Sequence, residues 1–364
     1  MARRRAAVVL SIGATAFALF LGAGVQRKLT ASVVDPAEPI AARVLTFHND
    51  VGRTGQNLEE KILTLKNVKP EGFGKVGFLH TAGLVDAEPL YVPNLTIGGR
   101  THNVVFVATE HDLVYAFDAD NLALLWRVSV LGTNETPSDD RGCAQVSPEI
   151  GVTATPVISI NGDSGLLYLV AMSKDGNGNY YQRLHALDIT SGAEASGSPT
   201  TITGAFPNRT GQTLFDAKQY KERAALLLQD GIVYTSWASH CDMGNYTGWV
   251  IGYNAATLQQ ANVLNLTPNG SDGAIWMSGA GPAADAEGNI YLLDANGTFD
   301  KTLNAGGFPI HGDFGNAFLK LSARGPKLSV ADYFNVHNTT AESGVDEDLG
   351  SGGALVLPDR TDVS

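Results

Sequence analysis

Beyond residue 47 the chain alternates apolar and polar positions in short runs broken by turn residues. The clearest run, LVYAFDADNLALLWRVSV at 113–130, is an alternating strand, an Asp-containing turn and a second strand carrying Trp126. Period-two alternation is what a half-buried strand requires, because successive side chains point to opposite faces. A strand with a similar turn recurs as RLHALDITSG (183–192), VIGYNAATLQ (250–259) and FLKLSARGPK (318–327). With Asp118, Asp188, Asn254 and Ser322 aligned, the spacings are 70, 66 and 68 residues.

Two further strand-like runs precede each marker. They are 87–92 and 103–109, then 152–159 and 166–172, then 223–229 and 231–238, then 278–285 and 289–294. Four strands per repeat predict an all-β chain: a β-propeller of four-stranded antiparallel blades. LGSGGALVLPDRTDVS at 349–364 reads as the innermost strand of a fifth unit. The expectation is therefore about four blades plus the first strand of a fifth, a C-terminally incomplete part of a larger propeller. Folded alone, it should be an open arc or an imperfect four-blade closure, since an uncovered last blade leaves a free edge. Asp118 and Asp188 are expected to accept backbone N–H bonds at their turns, and Trp126 to dock between blades.

The N-terminus has a different pattern. Arg3, Arg4 and Arg5 precede a 20-residue uncharged apolar run, Ala6–Val25, which ends at Gln26, Arg27 and Lys28. This is the pattern of an export signal, and it is also long enough to serve as an uncleaved N-terminal membrane anchor. Residues 1–28 are assigned to that signal or anchor helix, 29–47 (with Pro36 and Pro39) to a tether, and 48–364 to the propeller. The protein is then exported: periplasmic, secreted or membrane-anchored, touching a membrane only through this segment.

Composition narrows the function classes. Of 364 residues, 41 are glycine and 15 proline, as turn-rich β-structure needs, and 17% are charged. Residues 1–28 hold five of the 25 basic residues and none of the 37 acidic ones, so the remaining body carries −17 against −12 for the whole chain. No broad basic surface is available for phosphates, which argues against nucleic acid. Cys143 and Cys241 lie 98 positions apart. They are either a disulfide, in an oxidising compartment contributing about 4 kcal/mol, or two separate buried thiols. Two cysteines cannot make a zinc site alone. Neither a Gly-x-Ser-x-Gly elbow nor a His-Glu-x-x-His motif is present, so hydrolase chemistry lacks support. Asn-x-Ser/Thr triplets begin at Asn94, Asn134, Asn208, Asn245, Asn265, Asn269, Asn296 and Asn338, and read as Asn/Thr-rich turns.

The blade pattern resembles the PQQ-type propeller repeat. YAFDADNLALLW is similar to that family's tryptophan-docking motif, Ala-x-Asp-x-x-x-Gly followed by Trp, with Leu122 or Ala123 where the glycine belongs. LHALDITSG keeps the Asp-x-x-x-Gly part and lacks the Trp. NDVGRTGQN (49–57), ILTLKNV (62–68) and AEPLYV (87–92) resemble the lead-in of quinoprotein dehydrogenase propellers, and the resemblance covers roughly residues 48–357. The same blades occur in outer-membrane assembly lipoproteins. Two functions follow from the resemblance. One is a non-catalytic binding or assembly scaffold with protein or envelope partners. The other is a PQQ- and calcium-dependent dehydrogenase of alcohols or sugars, or a fragment of one.

A quinone dehydrogenase needs a calcium held by oxygen ligands, a catalytic Asp, an Arg at the quinone carbonyls and aromatic floors. The residues most compatible with cofactor binding are Glu149, Arg53, Asn316, Trp249 and Trp276, each with an ordinary alternative as loop carboxylate, clamp or core. No catalytic residue or metal ligand set is assembled from clear motifs, and there is no vicinal cysteine pair or Cys-x-x-Cys-His. The scaffold is the favoured expectation.

Overall fold

The computed structural model describes residues 42–358, except 59, 325, 326 and 348; the export segment and most of the tether lie outside the described residues. From Ala41 onward the chain is one compact unit.

The first blade is β1 (Leu90–Ile97), β2 (Arg100–Ala108), β3 (Leu113–Asp118) and β4 (Leu124–Ser129), paired antiparallel in that order. A connection carrying β5 (Glu135–Asp139) and β6 (Glu149–Ile150) follows. The second blade is β7 (Val157–Asn161), β8 (Ser164–Asp175), β9 (Tyr180–Asp188) and β10 (Thr200–Thr201), with β5 extending it along the far end of β8. β11 (Ala205–Asn208) and β12 (Gly211–Leu214) form a hairpin outside the blades. In the third blade β13 (Tyr220–Glu222) and β14 (Leu227–Gln229) share the inner place against β15 (Ile232–Ser239), followed by β16 (Trp249–Asn254) and β17 (Gln260–Asn265). The fourth is β18 (Ala283–Ala284), β19 (Asn289–Leu293), β20 (Ala317–Ser322) and β21 (Ser329–Asn335). A short helix α1 (Thr339–Gly344) follows.

The four marker residues Asp118, Asp188, Asn254 and Ser322 each end the third strand of a blade, so the repeat was read in register. Apolar clusters join successive blades. Val104, Phe106 and Ala116 pack with Ile158, Leu167 and Leu187; Val170 and Leu184 with Val233 and Ile251; Val250 and Leu264 with Ile290 and Leu319. Among the described residues no apolar cluster joins the fourth blade to the first. The uncovered side of the first blade (Val107, Tyr115, Phe117) packs instead on Leu79 of the incoming segment.

That incoming segment also supplies the hub. Val44 pairs with Tyr91 of β1, and Leu45 O accepts from Ile158 N–H of β7 at 2.7 Å. Val51 O accepts from Ala284 N–H of β18 at 2.7 Å. Arg53 completes the set, donating to Pro282 O, Thr46 Oγ1, Phe47 O and Leu226 O. A guanidinium is suited to this because its fork of donors can satisfy several inner carbonyls at once. Burial lowers its pKa to about 10, well above neutrality.

The fifth inner strand expected from Leu349 is not a ladder strand over the described residues. Leu349–Ser351 make a 3₁₀ turn, and Val356 N–H meets Gly52 O by a single bond of 2.9 Å. Residues 359–364 lie outside the described residues. The stretch lies beside the hub segment and the inner side of the fourth blade, where Gly350 O accepts from Met277 N–H at 3.1 Å and Ala354 joins the cluster around Ile290 and Leu319.

Trp126 docks between blades: its indole N–H donates to Ile189 O at 3.0 Å. Its ring lies over Gly192, where a Cβ would fall 2.8 Å from the indole. The docking motif is thus split across two blades, with Trp126 on one and the glycine of LHALDITSG on the next. Leu122 and Leu258 occupy the same turn position with φ of 65° and 55°. They hold a left-handed conformation at about 1 kcal/mol each, and Leu258 recovers part of that by burying its side chain in the cluster between the second and third blades.

Candidate functional site

Antiparallel order puts the first-to-second and third-to-fourth strand turns at one end of every blade. At that base, Asp118 Oδ1 accepts from the N–H groups of Asp120 and Asn121, Asp188 Oδ1 from Thr190 and Ser191, and Asn254 Oδ1 from Ala256 and Thr257. The second-to-third loops and the blade-to-blade connections share the opposite end, the mouth.

The mouth holds most of the buried titratable chemistry. A central cavity of about 250 Å³ is lined by Asp86, Gln145, Thr153, Thr155, Arg223 and Ser278, drawn from successive connections. Behind it, the buried Glu110 accepts from Gly151 N–H at 2.7 Å and the Thr153 hydroxyl at 3.0 Å. Burial, helped by Asp86, pushes this carboxyl up to about 8. Asp112 is pushed well above the carboxylate range, first by burial and then by the charges of Glu110, Glu149 and Glu135. Gly151 makes the approach possible, because a Cβ there would sit 2.3 Å from the Glu110 carbonyl.

The cationic side faces this acidic one. Lys221 is buried, donates to Gln145 Oε1 at 2.9 Å and stands 4.0 Å from Cys143 Sγ. Burial, then Arg223 and Arg141, lower its ammonium to about 8. Burial likewise lowers Arg223, which lies in the field of Asp86 and Asp242. His240 is held down to about 4 by burial and by Arg141 and Lys221. The Cys143–Cys241 disulfide ties the connection before the second blade to the β15–β16 loop of the third. The result is a mixed-charge basin in which Glu110 and Lys221 both change protonation near pH 8.

The five residues compatible with a quinone cofactor do not meet in one place. Glu149 is at the mouth, its two carboxylate oxygens 2.9 and 3.0 Å from His111 Nδ1. Arg53 is at the hub, its donors engaged by the groups named above. Trp249 lies in the core between the second and third blades, donating to the Tyr220 hydroxyl at 3.1 Å. Asn316 immediately precedes the third strand of the fourth blade, its amide 3.4 Å from Glu342 Oε2. Trp276 is half-buried along a groove with Asp242, Asp272 and Asp346. Among the described residues no group of three His, Cys, Asp or Glu side chains is placed to hold a metal ion. The five residues are thus spread over the mouth, the hub, the blade core and an outer groove.

Glu110, Lys221, Arg223 and Gln145 lie outside the candidate set read from the sequence. For the first three a signal exists: TEHD at 109–112 and KER at 221–223 place charges where the neighbouring pattern is apolar.

No protein-family model matches the chain, and no curated protein matches it. Solved structures do. The quinohemoprotein alcohol dehydrogenase from Comamonas testosteroni is 14% identical with a TM-score of 0.52, over 81% of this chain and 41% of that one. Quinohemoprotein alcohol dehydrogenase ADHIIG from Pseudomonas putida HK5 is 16% identical with a TM-score of 0.50, over 81% of this chain and 40% of that one. BamB from Moraxella catarrhalis is 13% identical over 70% of this chain and 76% of that one, with a TM-score of 0.29. The chain spans about 40% of the length of the two dehydrogenase structures. At these identities the likeness concerns architecture alone: the chain has the PQQ-like β-propeller fold.

Proposed function

We propose that the protein is an exported, non-catalytic propeller scaffold that binds a protein partner in the cell envelope. One observation carries the reading: the segment feeding the first blade leaves Leu58, Ile62, Leu65, Phe73, Val76 and Phe78 on the surface, with Leu65 and Val76 almost bare. Apolar side chains concentrated in one stretch of an otherwise well-buried chain mark a contact surface. Lys61, Lys66, Lys69 and Lys75 alternate with them on a body of −17, which favours an acidic partner face. Export rests on Arg3–Arg5 and the apolar run behind them.

The test is photo-crosslinking in the envelope from residues 65 and 76, with residue 257 on the base as control. A discrete adduct from 65 and 76, lost in Leu65→Ser/Val76→Ser at unchanged Tm, is expected. Adducts no different from the control would overturn the reading.

The dehydrogenase likeness supports a second reading, a PQQ- and calcium-dependent oxidation of alcohols or sugars, or a fragment of such an enzyme. Titration of the purified chain with PQQ and calcium decides it. No quinone spectral change at about 50 μM cofactor, well above the Kd of a working prosthetic site, would remove it.

A further inference from the structure

A second concave site lies outside the central cavity, between the β11–β12 hairpin and the wall formed by residues 245–247 and 268–271. Its volume is about 730 Å³, inside the ~300–1,000 Å³ range of small-ligand sites. The hairpin belongs to no blade; Phe206 anchors it on the apolar clusters on both sides of the third blade.

The lining has a distinctive chemistry. Three of the Asn-x-Ser/Thr triplets meet here, and each brings both its amide and its hydroxyl: Asn208 with Thr210, Asn245 with Thr247, Asn269 with Ser271. Part of this set is spent inside the wall: Asn208 Oδ1 accepts from the Thr210 N–H and hydroxyl, the Asn208 amide donates to Thr213 Oγ1, and Thr247 Oγ1 accepts from the Asn265 amide. Arg209 and Asp216, the two charged lining residues, cancel each other. The groove is thus neutral on a body of −17. A phosphate or nucleotide needs net positive charge, and an acyl chain needs apolar walls; neither describes it. Leu214, 61% exposed at the hairpin's end, offers an apolar patch beside the amides. A polar lining without net charge, with the Asn245 amide and the Arg209 guanidinium left over and a small apolar platform beside them, complements a polyhydroxylated ring with its polar rim and C–H face.

The walls are already held in place. Asn269 accepts from Arg209 N–H at 2.7 Å and donates to His311 O at 2.7 Å, and Asp313 Oδ1 accepts from the N–H groups of Asn269 and Gly270. The Tyr220 hydroxyl accepts from Thr247 N–H at 3.0 Å, and its ring stacks on Phe215. Among the described residues, by contrast, the Arg209 guanidinium and the Asn245 amide take no hydrogen-bond partner. Fixed walls with unengaged donors reduce the ordering cost of binding.

We infer that this groove binds a neutral oligosaccharide. The inference goes beyond the scaffold reading and stands apart from it, because no residue of segment 58–78 lines the groove.

The test uses the purified chain and four probes, maltotriose, cellotriose, xylotriose and chitotriose, by calorimetry with phosphate as the charged control. One probe is expected to bind with Kd below about 1 mM. Arg209→Ala and Asn245→Ala should each weaken it about tenfold, the loss of one ligand hydrogen bond, at unchanged Tm. Binding should be insensitive to salt, as no net charge is involved. The inference is overturned if no probe binds at about 10 mM, if binding survives both substitutions, or if phosphate binds in preference.

Discussion

The two ends of the blades are built on different principles. At the base, Asp118, Asp188 and Asn254 bond to N–H groups two and three residues ahead, so each turn is closed by its own sequence. At the mouth the partners are remote: Glu110 meets Gly151, Lys221 meets Gln145, and Cys143 meets Cys241. Local closure holds the Asp118 and Asp188 carboxyls below the ordinary range, so they stay ionised at neutral pH. Remote closure buries charged groups that folding alone brings together, which is where perturbed protonation accumulates. A propeller can therefore vary its mouth while its base keeps the blades in register.

Breaking the mouth should cost most. Cys143→Ser/Cys241→Ser removes a bond closing 98 residues, and chain entropy sets the expected loss at about 4 kcal/mol in denaturant unfolding. A loss below about 1 kcal/mol would mean that polar contacts already hold the mouth and chain entropy is not the main term. At the base, Trp126→Ala should cost about 3 kcal/mol by the same measurement. Gly192→Ala should cost about 2 kcal/mol, because the methyl meets the indole at a left-handed φ.

Glu110 sharpens the comparison through pH. Its folded pKa of about 8 lies above the ordinary value of 4.5, so between these pH values the folded state holds a proton that the unfolded state has lost. Stability from this group is complete below the ordinary value and falls as pH rises toward 8. Glu110→Gln should flatten that part of the pH–stability curve, and an unchanged slope would assign it to another group. His240 acts in the opposite sense, its folded pKa of about 4 costing stability as pH falls from 6.5. The smallest effect is expected from Asp188→Ala, about 1 kcal/mol and independent of pH near neutrality.

The same division decides what could be read in advance. The 70, 66 and 68 spacing located the end of each blade's third strand, because alternation and Asx turns are local signals. Arg53 was visible as a residue, yet its place at the hub depends on inner strands more than 170 positions away. β13 was not anticipated as a separate strand, because Lys221 and Glu222 look like surface residues until Gln145 and Ser236 N–H appear beside them. The split docking motif shows the limit most clearly. Leu122 looked like a defect in a glycine position, whereas the glycine that receives Trp126 is Gly192 of the next blade.

Sequence alone therefore determined the period, the blade class, the acidic balance and the base turns, all set by contacts within a few residues of each other. Only the tertiary structure decided the hub, the paired cysteines, the basin around Glu110 and Lys221, and the groove beneath the β11–β12 hairpin. Each of these depends on which buried groups the fold brings together, and pairings across tens to hundreds of residues leave no periodic trace in the chain.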